Sequence, residues 1–441
     1  MDGNRLTNRL KTMVEGKRVL VLGYGKEGRS THRVLAGIGG FSRLDIADRD
    51  PSAALDAPFG LAITGEGYLD ALGDCDIVFK TPGIALPDWT SNLDCQMTSQ
   101  ADVFLSEFSK RTIGITGTKG KSTVATLLHH TLGCAGRETI LAGNIGTPMF
   151  DIADSIAPDT TMVIELSCHQ LEYCEHSPSS AVLLNLYEDH LDHYGTFARY
   201  VQAKSNIFRF QSKQDVLYTH LEDIPISISA NSSVRDVNAE DLPFLSFEDV
   251  STSLRGQHNL LNAAFVHAIC ADIGIGDEEF VSALRTYQPL PHRLEFIGTL
   301  NGVDYYDDSI STTAESSICA AKSVPNAKTL ILGGMDRGID YTPLVSFLLG
   351  SNLDLIIGMY ESGKRIGDMF LARCSHQESA RFLYADDLRK AVKLAQEYTL
   401  PGTACILSPA AASYGNFKNF EERGDAFKQL LIPTPNKLEK T

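Results

Sequence analysis

Seven consecutive residues, Gly117, Thr118, Lys119, Gly120, Lys121, Ser122 and Thr123, gather the chemistry of phosphate binding into one short stretch. Glycines at such a turn let successive backbone N–H groups face one concavity, and a helix beginning there adds the positive end of its dipole. A lysine at position 121 can reach β- and γ-phosphates, and the Ser122 hydroxyl can ligate Mg²⁺. The usual G-x-x-x-x-G-K-[ST] spacing would put its first glycine where this chain has Ile115, so the loop is a variant. ATP binding by all seven residues is expected.

Three features downstream bear on what the nucleotide is for. Glu165 closes the apolar run TMVIEL, and a carboxylate at a strand end beside a phosphate loop is suited to a Mg²⁺ shared with the phosphates. Taken singly, it reads equally well as a helix-capping or surface residue. The run from Asn185 to His193 follows the strand-like AVLLNL. Its D-H-L-D-H core, with Asp189 and His190, also fits a solvated helix start with acidic caps. Lys204 falls in TFARYVQAKSNIF, an amphipathic helical pattern, where a lone lysine is ordinarily a surface residue. The phosphate loop alone leaves motion, kinase chemistry and ligation open.

Near the N-terminus, Gly23-x-Gly25-x-x-Gly28 has the spacing of a dinucleotide-binding turn, and Asp48 follows about 20 residues later. Bare amides at a helix N-terminus would hold a diphosphate there. The alternative is a Rossmann-like fold whose glycines only permit tight packing. A redox dinucleotide is disfavoured, because the rest of the chain points elsewhere.

The elements that must position these residues are β-rich runs that end in glycine or a turn and lead into helical stretches. KRVLVL, LDIAD, DIVFK, TIGIT, TMVIEL, SAVLLNL, KTLILGG, LDLIIGMY and TACIL are of this kind, so the fold class is α/β with mostly parallel sheets. Three segments follow: 1–109, 110–291 and 292–441. Residues 205–255 carry only weak β signals, and the tail PTPNKLEKT reads as frayed. At 441 residues the chain is too long for one ordinary core. No apolar run approaches the roughly 18 residues of a membrane span, and the first, at 19–22, leads into a glycine turn rather than a cleavage site. The nine cysteines are scattered without a C-x-x-C pair, which argues for reduced thiols in a cytosolic protein and against a disulfide framework or zinc site. A formal net charge of −16 opposes broad nucleic-acid binding.

Taken in order, the motifs resemble those of the Mur ligase family. GITGTKGKST is similar to its phosphate loop. GNIGTP, ELSCHQLE, NLYEDHLDHYGTFARYVQAK, GQHNLLNA and PHRLE follow in the family's order, and LILGGMDRGIDY and LSPAAASYGNFKNFEERGDAF resemble its glutamate-adding branch. The resemblance runs from the N-terminal glycine loop to Phe427.

It implies a Rossmann-like UDP-binding domain, a central P-loop ATPase domain with a mostly parallel sheet, and a C-terminal Rossmann-like, glutamate-binding domain. The implied reaction joins glutamate to UDP-N-acetylmuramoyl-L-alanine through an acyl phosphate, at the expense of ATP and with two Mg²⁺ ions, in a cytoplasmic monomer without nucleic-acid or membrane partners. In the UDP-substrate pocket the resemblance assigns Lys26, Glu27, Gly28, Asp48, Arg49, Thr81, Gly83, Asn144 and His190. For catalysis it assigns Lys121, Glu165, His190 and Lys204, with Ser122, Glu165, His190 and Lys204 holding metal. Lys204 matches the family's carbamylated lysine, and reaction with CO₂ requires a neutral amine, so a desolvated side chain with a lowered pKa is expected. Asn259, Asn262, Arg293 and Asp308 match residues that hold ATP, and Thr312, Arg337, Ser413, Tyr414 and Phe420 match the glutamate pocket. A labile acyl phosphate needs shielding from water, so closure of the C-terminal domain is expected.

The glutamate pocket departs from the family pattern. Asp308-Ser309-Ile310-Ser311-Thr312-Thr313 stands where well-known members read D-S-K-A-T-N, so a basic residue is missing at Ile310. Arg337 stands for a family lysine and keeps its charge. The D-S-I-S-T-T spelling also resembles a variant branch that adds L-glutamate, whereas FKNFEERG resembles the D-glutamate enzymes; the D isomer is the expectation. Cys168 stands where a second serine is common and is assigned no role. An NAD-dependent oxidoreductase, a nucleotide-binding regulator without turnover, another Mur step and a folate polyglutamate ligase are the alternatives.

Overall fold

The computed structural model describes residues 3–431 except 52, 54–59, 88, 91–92, 226–227, 229, 243–256, 325 and 375–379, and excludes the side chains of 3, 4, 192, 257, 258 and 315. The tail PTPNKLEKT and residues 243–255 of the weakly β-like stretch lie outside the described residues. The chain forms two compact units, one from residues 1–253 together with Gln257–Tyr287, the other chiefly Gln288–Thr441.

The first unit contains two parallel sheets. In the N-terminal one, β1 (Arg18–Leu22) lies between β2 (Arg43–Asp48) and β4 (Ile77–Lys80), with β3 (Ala62–Thr64) and β5 (Gln96–Thr98) at the edges, in the order β3-β2-β1-β4-β5. The run Val19–Leu22 is buried throughout, as expected of a parallel strand covered on both faces. Strand order reverses between β1 and β4, and this is where an open α/β sheet leaves a crevice for a ligand. The glycine turn leaves β1 at that crevice. The helix Gly3–Val14 was not expected from the sequence; it buries Leu6, Leu10 and Val14, spaced four apart, in a core shared with Phe104 and Phe108 of the helix Gln100–Phe108.

The second sheet has the order β11-β10-β9-β6-β8-β7. Its members are β6 (Thr112–Thr116), β7 (Thr139–Gly143), β8 (Thr161–Glu165), β9 (Ser180–Leu183), β10 (Val216–Thr219) and β11 (Ser233–Asp236), all parallel. Register aligns Ile115 of β6 with Glu165 of β8, and Thr116 with Leu183 of β9. The three strand ends that carry the phosphate loop, Glu165 and Asn185 therefore open side by side.

The second unit is built on one sheet in the order β12-β13-β17-β14-β15-β16, from β12 (Glu295–Leu300), β13 (Val303–Asp307), β14 (Ala327–Leu332), β15 (Leu355–Met359), β16 (Arg381–Ala385) and β17 (Ala404–Leu407). Among the described strands β12 and β13 pair antiparallel and the other pairs are parallel. Its core occupies both faces of the sheet, with Leu330, Leu332 and Ile356 on one side and Ile331, Ile357 and Leu407 on the other. Each such buried side chain contributes roughly 1.5–3 kcal/mol. Among the described residues no helix is long and apolar enough to cross a membrane.

Candidate active site

The phosphate loop is held open by its surroundings. Gly120 caps the helix Lys121–Cys134 in the left-handed region at φ 86°, and a Cβ there would lie 2.7 Å from Asn262 Oδ1, so the conformation favours glycine and a side chain would displace the Asn262 amide. Beyond β9, Asn185 accepts from Thr118 N through its carbonyl (3.1 Å) and from Lys119 N through Oδ1 (2.8 Å), and its Nδ2 donates to Lys119 O (3.2 Å). Thr118 Oγ1 is hydrogen-bonded to Tyr200 OH at 2.7 Å. Lys121 Nζ folds over the loop and donates to Gly117 O (3.0 Å) and Thr118 O (3.2 Å). Ser122 is buried in the first helical turn, with Thr123 beside it partly so. Amides fixed in this way need little rearrangement to receive an anion.

Glu165 is neither a surface nor a capping residue, being 1% exposed. Asn144 Nδ2 donates to its Oε1 at 2.6 Å and Asn144 N to its carbonyl at 2.8 Å. Its Oε2 is buried without a hydrogen-bond partner. A buried carboxylate oxygen in that state costs free energy unless a cation or donor arrives, so a hard divalent ion with oxygen ligands fits here.

Lys204 is likewise buried rather than on the surface. Its Nζ donates to Gly117 O at 2.8 Å and Thr116 Oγ1 at 3.4 Å, and sits 5.0 Å from the centre of the Tyr200 ring. Burial, and then repulsion from Lys121, bring its pKa down to about 7, so much of the amine is neutral near neutrality.

His190 opens the short helix Leu191–Tyr194 with φ 52°, and its N–H donates to Asp189 Oδ1 at 3.0 Å. The bland reading of D-H-L-D-H as a helix start is therefore correct for the backbone, yet the imidazole meets His169 edge-on, centroids 4.7 Å apart. Burial, then His190 and His193, lower the His169 pKa to about 3 and hold that ring neutral. Glu172 Oε2 takes both Lys80 Nζ and His193 Nε2 at 3.2 Å.

Around the N-terminal turn, Asp48 accepts from Tyr24 N and, at 2.8 Å, from Asp50 N, so it fixes the glycine loop itself. Gly28 lies so close to Gly23 O that no side chain fits. Glu27 accepts from Gln170 Nε2 at 3.0 Å while its Oε1 is buried unpartnered, and burial raises its pKa to about 7. Lys26 Nζ donates to Gly146 O at 2.5 Å, and Thr81 Oγ1 to Leu22 O at 2.9 Å. Arg49 and Gly83 are exposed. Asn259 accepts from Asn262 Nδ2 at 2.8 Å on the helix Gln257–Asp272.

In the second unit, Asp308 is buried, accepts from Ser408 Oγ (2.7 Å) and Leu294 N (3.1 Å), and is raised to about 6 by burial. Arg293 keeps a buried Nε without a partner. Thr312 is partly buried, Ser413 is buried, and Arg337 and Tyr414 are exposed. Phe420 O accepts from Ser309 Oγ at 2.8 Å. Arg423, not anticipated from the sequence, is fully buried, and donates to Ser309 Oγ (3.0 Å), Ser309 O (2.8 Å) and Ala411 O (3.0 Å). It ties the 308–311 turn to the 410–413 stretch. Tyr200 and His169 were missed as well; only their place inside the quoted motifs could have marked them.

The sequence and fold have clear relatives. The Mur ligase middle domain matches residues 115–242. UDP-N-acetylmuramoylalanine–D-glutamate ligase of Symbiobacterium thermophilum is 32% identical over 399 residues, covering 84% of this chain and 86% of its own. The enzyme of that name from Geobacillus kaustophilus is 33% identical over 445 residues, covering 93% and 96%. Among solved structures, MurF ligase from Thermotoga maritima in complex with ADP shares the fold, with TM-score 0.55 and 18% identity over 96% of each chain.

Proposed function

This chain belongs to the Mur ligase family, and from that premise we propose that it joins D-glutamate to UDP-N-acetylmuramoyl-L-alanine with ATP, in the synthesis of the peptidoglycan precursor. The relatives at 32% and 33% identity carry that activity in their names. The observation that supports the reading most is local: a buried amine with a pKa near 7 and a buried carboxylate oxygen without a partner flank one phosphate loop. A kinase or a motor has no evident need of the first.

On this reading the loop amides of 117–123 and Lys121 hold the ATP phosphates, with Asn259, Asn262, Arg293 and Asp308 as further nucleotide contacts. Ser122 and Glu165 would hold one Mg²⁺, and His190 with a carbamate on Lys204 a second. When bound, such ions offset charge on the transferring phosphoryl group. The substrate carboxylate, a poor acyl donor, attacks the γ-phosphorus; the bond to the β-phosphate breaks, ADP leaves and an acyl phosphate forms. The neutral glutamate amine attacks its carbonyl carbon, and phosphate leaves as the amide forms and the nitrogen releases one proton to solvent. Lys121, folded over the loop, is placed to follow the phosphoryl oxygens.

The crevice after β1, with Lys26, Glu27, Gly28, Asp48, Arg49, Thr81 and Gly83, receives the UDP moiety, and Asn144 and His190 lie toward the muramoyl end. Thr312, Arg337, Ser413, Tyr414 and Phe420 receive glutamate. Three domains divide at about 109 and 291. Both nucleotides are metabolites of the cytoplasm, which is where we place the reaction.

The test is phosphate release from ATP and Mg²⁺ with UDP-N-acetylmuramoyl-L-alanine, comparing D- with L-glutamate. Release that requires the sugar nucleotide and D-glutamate is the expected result. Release with L-glutamate alone would reverse the stereochemical assignment and direct attention to Ile310.

A further inference from the structure

We propose that Cys168, His169 and His190 form a binding site for a thiophilic divalent cation of the zinc class. One ligand atom from each lies within 4.8 Å of the others. Cys168 Sγ is 3.7 Å from His169 Nδ1. Bond lengths to tetrahedral zinc imply an S···N edge of roughly 3.5 Å, so one edge of the coordination polyhedron is already close to length. The remaining arm, His190, has a side chain 45% exposed and sits at the start of a four-residue helix. A shift of its ring completes the triangle without disturbing a strand. Three protein ligands leave a fourth position for water.

The chemistry of the donors selects the ion. A thiolate and two imidazoles favour zinc over magnesium, which prefers oxygen ligands. Lys80, one of the cations that act on His169, is already paired with Glu172. Coordination converts the Cys168 thiol to a thiolate and releases one proton to solvent. Lack of a C-x-x-C pair hid this set in the sequence: two donors are adjacent at 168–169, and the third caps the helix Leu191–Tyr194 that follows β9.

A consequence follows for catalysis, and it rests on the function proposed above. His190 held by zinc is withdrawn from the magnesium site, so zinc inhibits the ligase in competition with magnesium.

The experiment titrates Co²⁺ into the purified full-length protein without Mg²⁺ and reads the near-ultraviolet thiolate-to-cobalt charge-transfer band. The band is expected in the wild type and in Cys134→Ser, which removes an exposed thiol, and is lost in Cys168→Ser. His169→Asn should weaken Co²⁺ binding at least as much as the ~10- to 100-fold that loss of an outer-shell partner costs; it carries the test if Cys168→Ser fails to fold. In turnover assays, Cys168→Ser should keep its magnesium-dependent rate and lose sensitivity to zinc. Absence of the band in the wild type, or its persistence in a folded Cys168→Ser, would overturn the site. Because the spectroscopic reading needs no substrate, failure of the ligase assignment would leave it standing.

Discussion

Lys204 Nζ donates to the carbonyl oxygen of Gly117 across 2.8 Å, which fastens a buried amine to the first residue of the phosphate loop. Replacing Lys204 with alanine removes that tie and the amine proposed to carry a carbamate. Turnover should vanish, and a short carboxylic acid should restore part of it by supplying the missing anion. Full activity in this variant would remove the lysine from the mechanism.

The same amine titrates inside a useful window. Its pKa is about 7 in the folded protein against 10.5 ordinarily. Between those values the unfolded chain binds more protons, so the stability contributed by this group rises with pH through the window, and its penalty is complete below pH 7. Denaturant unfolding of wild type and Lys204→Met should therefore diverge as pH falls, with the wild type losing more. At constant dissolved CO₂, a ¹³C carbamate signal should grow as pH rises through about 7. A flat response would mean that the amine is not the titrating group.

Glu165→Gln keeps the shape of the side chain and an acceptor for Asn144 while deleting the charge. The fold should persist, and the ATP-dependent rate should fall by about two orders of magnitude or more, since weakening a metal ligand sacrifices several kcal/mol of transition-state stabilisation. Circular dichroism and phosphate release together check this; an unchanged rate would exclude Glu165 as a ligand.

At Gly120, alanine meets both a left-handed backbone and Asn262 Oδ1 at 2.7 Å. The left-handed conformation alone costs roughly 1–2 kcal/mol, and relief by shifting the loop misaligns its amides. Lower thermal stability and weaker ATP binding should appear together by calorimetry. Normal ATP affinity would show that the loop tolerates another shape.

Arg423→Ala should destabilise the second unit by roughly 3 kcal/mol, because the carbonyls of Ser309 and Ala411 lose a buried charged donor. If the turns it joins frame the glutamate pocket, the KM for glutamate rises more than that for ATP. Equal changes in both would confine Arg423 to a structural part.

Much of this protein was determined locally. Strand runs such as RVLVL and TLIL are apolar because both faces of a parallel sheet are covered, and glycine with lysine at a strand-to-helix turn has few other uses than holding an anion. These signals lie within a dozen residues and needed no partner from elsewhere. Asn301-Gly302, between β12 and β13, is an equally local hairpin signal, with both residues at positive φ. Tertiary structure alone decided the electrostatics. Lys204 reads as a surface residue on its own segment and Glu165 as a surface or capping one; the parallel register of β6 and β8 and the packing of the helix Phe197–Arg209 bring them to one loop, where exclusion of water lowers the amine's pKa and Glu165 Oε2 is left unpartnered. Arg423 and the Cys168–His169–His190 set became visible for the same reason. Their partners are joined by packing across many residues, and desolvation, which sets their chemistry, is a property of that packing.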